Sequence, residues 1–423
     1  MRIVYILAGA GGMYCGACNR DADLVNGIVK KGLDIELIPL YTPLRHDNEQ
    51  PLQTSRIFYG GIITFLEQRL KIFRHTPAFF DYLFDNPTLL KILGKFTIAT
   101  QPQKLGAMTV SVLAGKDGNQ KKELQKLIEY LQTVKPDVIN ITNSMLSGIA
   151  VSLKEALNIP IVCTFQGEEA FIDSLSEPHR TQAKNLLESN AQSIDHFIVP
   201  HNRYVDEIIS YLKISRDKMS VILPGVDHQR FVFQDSCDQS GKIGYLSRIA
   251  PEKGLDTLLE AFSILHKKNN DLTLHIAGQI YVKSFWEKMQ KYIKKNKLTE
   301  HVIYHGELTL KQKQQFLQQC NVFCVPSKFN ESRGLAILEA VATGTPVVVP
   351  PMGIYPQIVE DTQHGIIADP ATPENFASCI NDALQNEAKY RGENRDIFLQ
   401  KYGLTRMVDE IILLYEGLVS KKT

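Results

Sequence analysis

Short apolar runs alternate with stretches of helical periodicity twice along this chain, and that alternation restricts the fold more than any single motif does. The runs at 2–8, 34–40, 137–141, 159–165 and 196–200 read as buried strands, with helical patterns at 19–31, 121–134, 146–157, 179–189 and 202–212 between several of them. Buried strands joined by helices make a parallel, doubly wound sheet. The stretch 234–242 is polar and lacks periodicity, and the alternation then restarts with strands at 243–246, 272–277, 302–304, 322–325 and 346–349. A chain of 423 residues is too long for one core. The expectation is therefore an α/β protein of two domains, 1–223 and 224–404, followed by a last helix in 405–423. No internal sequence repeat is evident, so the duplication is one of architecture.

The densest chemistry lies in Pro326-Ser-Lys-Phe-Asn-Glu331-Ser-Arg-Gly334-Leu-Ala-Ile-Leu-Glu339, which reads as strand, loop and helix. A helix start offers unpaired backbone N–H groups and the positive end of a dipole, which suits a diphosphate, and Gly334 lets a ligand approach the backbone. Glu331 can accept from sugar hydroxyls and Glu339 from a ribose diol. The alternative is a helix-start glutamate and a solvated one, but Glu339 sits among Ala336, Ile337, Leu338, Ala340 and Val341. A carboxylate in such surroundings needs a partner. Arg248 and Lys253, in Gly244-Tyr-Leu-Ser-Arg248-Ile-Ala-Pro-Glu-Lys253-Gly254, follow the first strand of the second half and open its helix. Ligands of open α/β sheets bind at the carboxyl ends of strands, so these cations should emerge on the same rim as Glu331. There they can stabilise a departing nucleoside diphosphate without a metal.

With these residues in view, the chain resembles the retaining glycosyltransferases of the GT-B class, family 4 (glycosyl transferases group 1), whose signature is two glutamates separated by seven residues. The resemblance implies two Rossmann-like domains facing across a cleft, with 1–223 binding acceptor, 224–404 binding the nucleotide sugar, and the last helix packing back on the first domain. By motif match, Arg248, Lys253 and Glu331 become the catalytic residues. The donor would be held by Gly12, Gln166, Arg248, Lys253, Gly306, Glu331, Ser332, Arg333, Gly334, Leu335 and Glu339. His305-Gly306-Glu307 matches the loop that holds the base in the family, and Gly353 matches a further glycine loop. One departure stands out. Where the family usually carries a histidine after a strand, this chain has Thr164-Phe-Gln166-Gly167-Glu168-Glu169. Glutamine can hydrogen-bond but cannot trade a proton, so Gln166 can orient the donor and a general base there is in doubt. Glu168 and Glu169 are candidates for acceptor contact, with exposed carboxylates as the alternative.

Other features restrict the setting. Lys+Arg of 47 against Asp+Glu of 46 gives a formal charge of +1, which argues against a nucleic-acid partner. No apolar run is long enough to span a membrane and the chain opens directly on a strand, so a cytoplasmic enzyme is expected. The segment 59–105, rich in aromatics interleaved with basic residues, reads as a helical insertion. Its alternative is a peripheral dock at the inner membrane face for a lipid-linked acceptor. Asp21-Ala-Asp23 spells the pair of metal-dependent transferases but falls in the opening of a helix, where capping accounts for it better. No metal and no cofactor are expected to be required. Cys15 and Cys18 at a helix start read as loop thiols, with redox regulation or metal binding as alternatives, and Cys320 with Cys324 as an unpromising zinc pair.

The resulting expectation is a retaining, metal-independent hexosyltransferase that uses a nucleoside diphosphate sugar, UDP favoured over GDP, and a glycan or lipid-linked acceptor. The rivals are a sugar-nucleotide epimerase of the same architecture and a non-catalytic or redox-regulated sugar-nucleotide binding protein.

Overall fold

The structure, a computed structural model, describes residues 1–9, 16–41, 58–59, 102–234, 241–391 and 395–422. These separate into two compact units, Met1–Ile222 with Met407–Thr423, and Leu223–Arg406. Each is built on a six-stranded sheet whose paired strands all run parallel.

The first unit contains β1 (Arg2–Leu7), β2 (Asp34–Pro39), β3 (Val138–Ile141), β4 (Ile161–Thr164), β5 (His196–Val199) and β6 (Met219–Val221), in the order β2-β1-β3-β4-β5-β6. Its central strands are buried along their whole length at β3 and β4, as apolar runs covered by helices on both faces must be. Helix Lys121–Val134 shows the sequence pattern at work: Leu124, Leu127, Ile128 and Leu131 fall on one face and are buried. The last helix, Leu404–Ser420, adds Met407, Val408, Ile411 and Tyr415 to the buried set, and the Tyr415 hydroxyl donates to Asn140 Oδ1 at 3.1 Å. Gly27 is required there, because a Cβ at that position would lie 2.5 Å from a Val408 methyl.

The second unit contains β7 (Lys242–Leu246), β8 (Thr273–Ala277), β9 (Val302–Tyr304), β10 (Val322–Cys324), β11 (Val347–Val349) and β12 (Gly365–Ile367), in the order β12-β11-β10-β7-β8-β9. The chain starts in the middle, winds outward to β9, then returns to β10 on the other side of β7 and winds outward again. β7 and β10 are therefore neighbours at the reversal of strand order, where a parallel sheet opens a crevice at its carboxyl edge. Val226 enters beside the chain's exit, with Val226 N–H donating to Tyr402 O at 2.8 Å and Leu404 N–H to Val226 O at 3.0 Å.

Two short edge strands, β6 and β12, do not appear among the sequence expectations. Each is three residues long. Pairing with a neighbouring strand makes them strands, and periodicity has too few residues to register that. The helix patterns at 146–157 and 202–212 each open with a 3-10 turn, Ser144–Ile149 and Asn202–Tyr204, before the α-helix begins. Most of the 59–105 insertion lies outside the described residues. Among those described, no helix is long and apolar enough to cross a membrane.

Candidate active site

In the second unit every strand leaves the sheet at the same edge, so the loops after β7, β9, β10 and β11 share one rim. The loop after β7 carries Arg248 and turns through Pro251–Lys253 into helix Leu255–His266. The loop after β10 carries Glu331 and Gly334 and enters helix Leu335–Ala342. A backbone bond fastens the two together, Lys328 N–H donating to Glu252 O at 2.9 Å.

Across that fastening, Lys253 Nζ donates to Glu331 Oε2 at 2.7 Å, with the two side chains only 12% and 14% exposed. Phe329 lies under the ammonium, its centroid 4.3 Å away. Burial would raise the Glu331 carboxyl, but the charge and hydrogen bond of Lys253, with Arg333 and Arg248 beyond it, outweigh burial and hold it below its ordinary value. Glu331 is thus a carboxylate, an acceptor only. Arg248 remains half exposed, stacked over Tyr281 at 4.7 Å and 3.8 Å from Glu252. A guanidinium held on an aromatic face keeps its donors turned outward.

Two glycines shape the glutamate loop. Gly334 has φ +60 and is the N-cap of helix Leu335–Ala342, a backbone state that costs a side-chain-bearing residue energy. Gly353, in the loop after β11, has φ +58, and a Cβ there would stand 2.2 Å from Glu331 O. The neighbouring Ile354 N–H then donates to that carbonyl at 2.9 Å, so the glycine permits the contact that seats Glu331. Ser332 is buried, while Arg333 and Leu335 are half-buried beside it. Gly306 follows β9 on the same rim, its carbonyl accepting from Gly278 N–H at 2.8 Å.

Glu339 has the partner its surroundings demand, and sequence reasoning did not find it. Lys313 Nζ donates to Glu339 Oε1 at 2.6 Å, the side chains being 7% and 16% exposed. Lys313 belongs to helix Leu310–Gln318, whose start is fixed by a capping box between Thr309 and Gln312. Leu310, Lys313 and Leu317 share one helix face, and a lysine on an apolar face was the available signal. The two signature glutamates therefore each hold a separate, largely buried lysine.

In the first unit, Gln166, Glu168 and Glu169 follow β4 at the carboxyl edge of its sheet. The structure corrects two expectations there. Glu168 is buried, accepting from Ser144 N–H at 2.5 Å and Gln166 N–H at 2.8 Å, so it ties the loops after β3 and β4 together and is not the exposed carboxylate of the alternative reading. Asp21 is no helix cap, since helix Gly16–Lys30 begins a turn earlier and Asp21 is 1% exposed within it. Among the described residues no group of three or more His, Cys, Asp or Glu is placed to hold a metal. Cys18, Cys320 and Cys324 are buried, the Cys320 thiol donates to Phe316 O at 3.0 Å, and burial raises Cys324 well above its ordinary value. Gly12 and Cys15 lie outside the described residues.

Glu169 accepts a hydrogen bond from the Tyr204 hydroxyl. Burial first, and the charge of Glu168 second, raise its carboxyl to about 7. A raised acid binds its proton more tightly in the folded state, so this group favours folding below the ordinary carboxylate value and counts against it as pH rises through about 7. Glu169→Gln should therefore flatten the decline in melting temperature between pH 5 and pH 8, and a shift of this size is worth at most ~3 kcal/mol at the alkaline end.

Two family models match back to back: Glycosyltransferase Family 4 over 114–230 and Glycosyl transferases group 1 over 231–397. Together they place residues 114–397 among the group 1 and family 4 glycosyltransferases. An uncharacterized glycosyltransferase of Methanocaldococcus jannaschii is 24% identical over 64% of this chain and 72% of its own. HepE of Anabaena, solved in complex with UDP, superposes with TM-score 0.68 at 16% identity over 99% of this chain and 100% of that one. Sucrose-phosphate synthase of Thermosynechococcus elongatus gives 0.73 at 14% identity over the whole of both chains. The glycosyltransferase thus has the GT-B fold, and its two parallel sheets are the paired Rossmann-like halves that the sequence led us to expect.

Proposed function

We propose that this glycosyltransferase moves a hexose from a UDP-linked donor to a glycan or lipid-linked acceptor, with retention of anomeric configuration and without a metal. The observation that carries the reading is the Lys253–Glu331 pair at the reversal of strand order, beside the Gly334 helix start. In this reading the first-turn amides of helix Leu335–Ala342, Lys253 and Arg248 receive the diphosphate as negative charge builds on it. Glu331 accepts from hydroxyls of the transferred sugar, and Glu339 from the ribose, with Ser332, Arg333, Leu335 and Gly306 completing the donor surroundings. The bond from the anomeric carbon to the phosphate oxygen breaks while the acceptor oxygen forms its bond on the same face. The acceptor's proton passes to the departing phosphate, which is why a glutamine at 166 is compatible with turnover. Glu168 and Glu169, the latter bonded by Tyr204, are the acceptor-side candidates. The UDP bound by HepE supports UDP over GDP, and the two cations support chemistry in which no metal bridges the diphosphate.

A thermal-shift panel of UDP, GDP, ADP and their sugars should show UDP compounds raising the melting temperature most, and Glu339→Ala should abolish that rise. The selected sugar nucleotide, incubated in EDTA with and without candidate acceptors, should give a product whose anomeric proton matches the donor's configuration by NMR. An inverted product, or turnover only with added metal, rejects the proposal. A changed sugar epimer formed without any acceptor would establish the epimerase instead.

A further inference from the structure

Helix Lys283–Lys295, which connects β8 to β9, carries two kinds of side chain on opposite sides. Phe285, Trp286, Met289 and Ile293 are buried in the core of the second unit. Lys283, Lys288, Lys291, Lys294 and Lys295 are all exposed, as is Lys297 just beyond the helix end. At about 100° per residue, the five helical lysines fall within an arc of roughly 140° centred opposite the buried side chains. Glu287 is the one acid of the helix. Among the described residues, none of the six ammonium groups has an ion-pair or hydrogen-bond partner. The whole chain carries a formal charge of +1, so this excess is local.

Folding does not account for the stripe. Like charges three or four residues apart on a helix repel and weaken it, and Lys288, Lys291, Lys294 and Lys295 stand at those spacings. Solubility does not need it either, since interspersed charges of both signs serve that end. A stripe of one sign suits a surface of the opposite sign.

Its chemistry narrows the choice of surface. Protein interfaces are anchored by aromatic, methionine or arginine side chains and are poor in lysine, whereas the large apolar residues of this helix are turned into the core. Nucleic-acid surfaces pair their cations with exposed aromatic rings for stacking or with arginine forks for bases, and the stripe has neither. Lysine is a point charge on a flexible stem, which matches the diffuse field of anionic headgroups. Over an arc of this width the side-chain tips lie within roughly 5 Å of one tangent plane, inside the Debye length of about 8 Å at physiological salt. All the lysines of the stripe can therefore act on one flat surface together.

We propose that the outer face of helix Lys283–Lys295 docks the second unit on a membrane that carries anionic phospholipids. The contact is electrostatic and lies at the headgroups, because the apolar face that an inserting helix would bury in the bilayer is already used by the core. This role goes beyond the transferase reading and does not rest on it.

Flotation of the unaltered chain with vesicles of phosphatidylcholine, alone or with about one third phosphatidylglycerol, tests the proposal. At about 0.1 M salt the protein should rise with the anionic vesicles and not with the neutral ones, and about 0.5 M salt should release it. Lys288→Gln/Lys291→Gln/Lys295→Gln should lower the apparent affinity roughly 100-fold, at about fivefold for each charge lost near the headgroups. Lys30→Gln/Lys121→Gln/Lys311→Gln removes as many exposed lysines from other helices and should bind as the unaltered chain does. The ammonium groups of the stripe bond to nothing in the chain, so the first variant should melt no lower than the unaltered protein, which separates lost docking from lost folding.

Failure of the unaltered chain to bind anionic vesicles overturns the proposal, and so does an equal loss in the two triple variants. A single-stranded oligonucleotide that binds more tightly than the vesicles at the same salt, and loses that affinity in the first variant, would make this face a nucleic-acid surface instead. A footprint on the unaltered chain is the second measurement. Acetylation by acetic anhydride, read by mass spectrometry, should slow several-fold at Lys288, Lys291, Lys294 and Lys295 when anionic vesicles are added, while Lys30 and Lys121 are unaffected. Unchanged acetylation of the stripe overturns the proposal whatever the variants do.

Discussion

Lys253→Met should lower kcat/KM for the nucleotide sugar by about 10²–10³-fold, the usual loss when one preorganised donor to a developing anion is removed. The same change should destabilise the second unit. Glu331 is left in the interior without the ammonium 2.7 Å away, and breaking a buried pair from one side costs about 3–5 kcal/mol. Methionine keeps an unbranched apolar stem over Phe329, so the loss reports charge more than packing. Arg248 and Arg333 still act on Glu331, which places the expected destabilisation at the lower end of that range. The pH dependence separates this account from a general packing defect. In the unaltered protein the Glu331 carboxyl is lowered, so its contribution is present above the ordinary carboxylate value and lost as pH falls through the lowered one. In Lys253→Met burial acts with less opposition and the carboxyl moves upward, so the variant should lose stability as pH rises across the neutral range. Thermal midpoints at pH 5, 6.5 and 8 measure this slope. Glu331→Gln added to Lys253→Met should remove it and restore part of the midpoint, while leaving turnover low.

The fold was largely legible because it rests on patterns longer than a single turn. Helix Lys121–Val134 and strand Arg2–Leu7 fall where periodicity places them. Their apolar residues are the ones that must be covered. What escaped was anything decided by a neighbour outside the local window. β12 becomes a strand because Gly365, Ile366 and Ile367 pair with Val347, Val348 and Val349. Three residues, one of them glycine, carry no period of their own.

The same distinction divides the site. Lys253 and Glu331 were legible as separate motifs, but their pairing is a fact of topology: the reversal of strand order makes β7 and β10 neighbours although 78 residues separate the two side chains. Asp21 was misread for the opposite reason. A local rule, that acids cap helix starts, was applied where a long-range one prevails, because the helix begins at Gly16 and the carboxylate turns inward to Tyr5, Thr142 and Gln166. Glu168 follows suit, its two backbone donors lying in two different loops. Local chemistry gives a polar residue's capacity to bond, and the packing of distant loops decides which partner uses it.

Lys313→Met should test how far Glu339 depends on such a partner. Its ammonium is buried against the carboxylate at 2.6 Å and lies 5.2 Å from the Phe231 ring centroid. Removing it leaves Glu339 charged in an apolar helix, at a cost of about 3–5 kcal/mol, unless it takes up a proton. A protonated or displaced carboxyl is a poor acceptor for a ribose diol, so UDP should lose most of its stabilising effect in the thermal panel although Lys313 itself touches no ligand in this account. Glu339→Gln should weaken UDP to a similar degree and leave its own buried ammonium uncompensated. Lys313→Met/Glu339→Gln removes both charges together, and its melting temperature should recover toward the unaltered value, because replacing a buried pair by neutral groups costs less than breaking it. UDP binding should not recover with it, since the ionised acceptor is gone. If the double variant regains UDP binding along with stability, Glu339 serves the helix packing alone, and the second glutamate of the signature has no part in holding the nucleotide here.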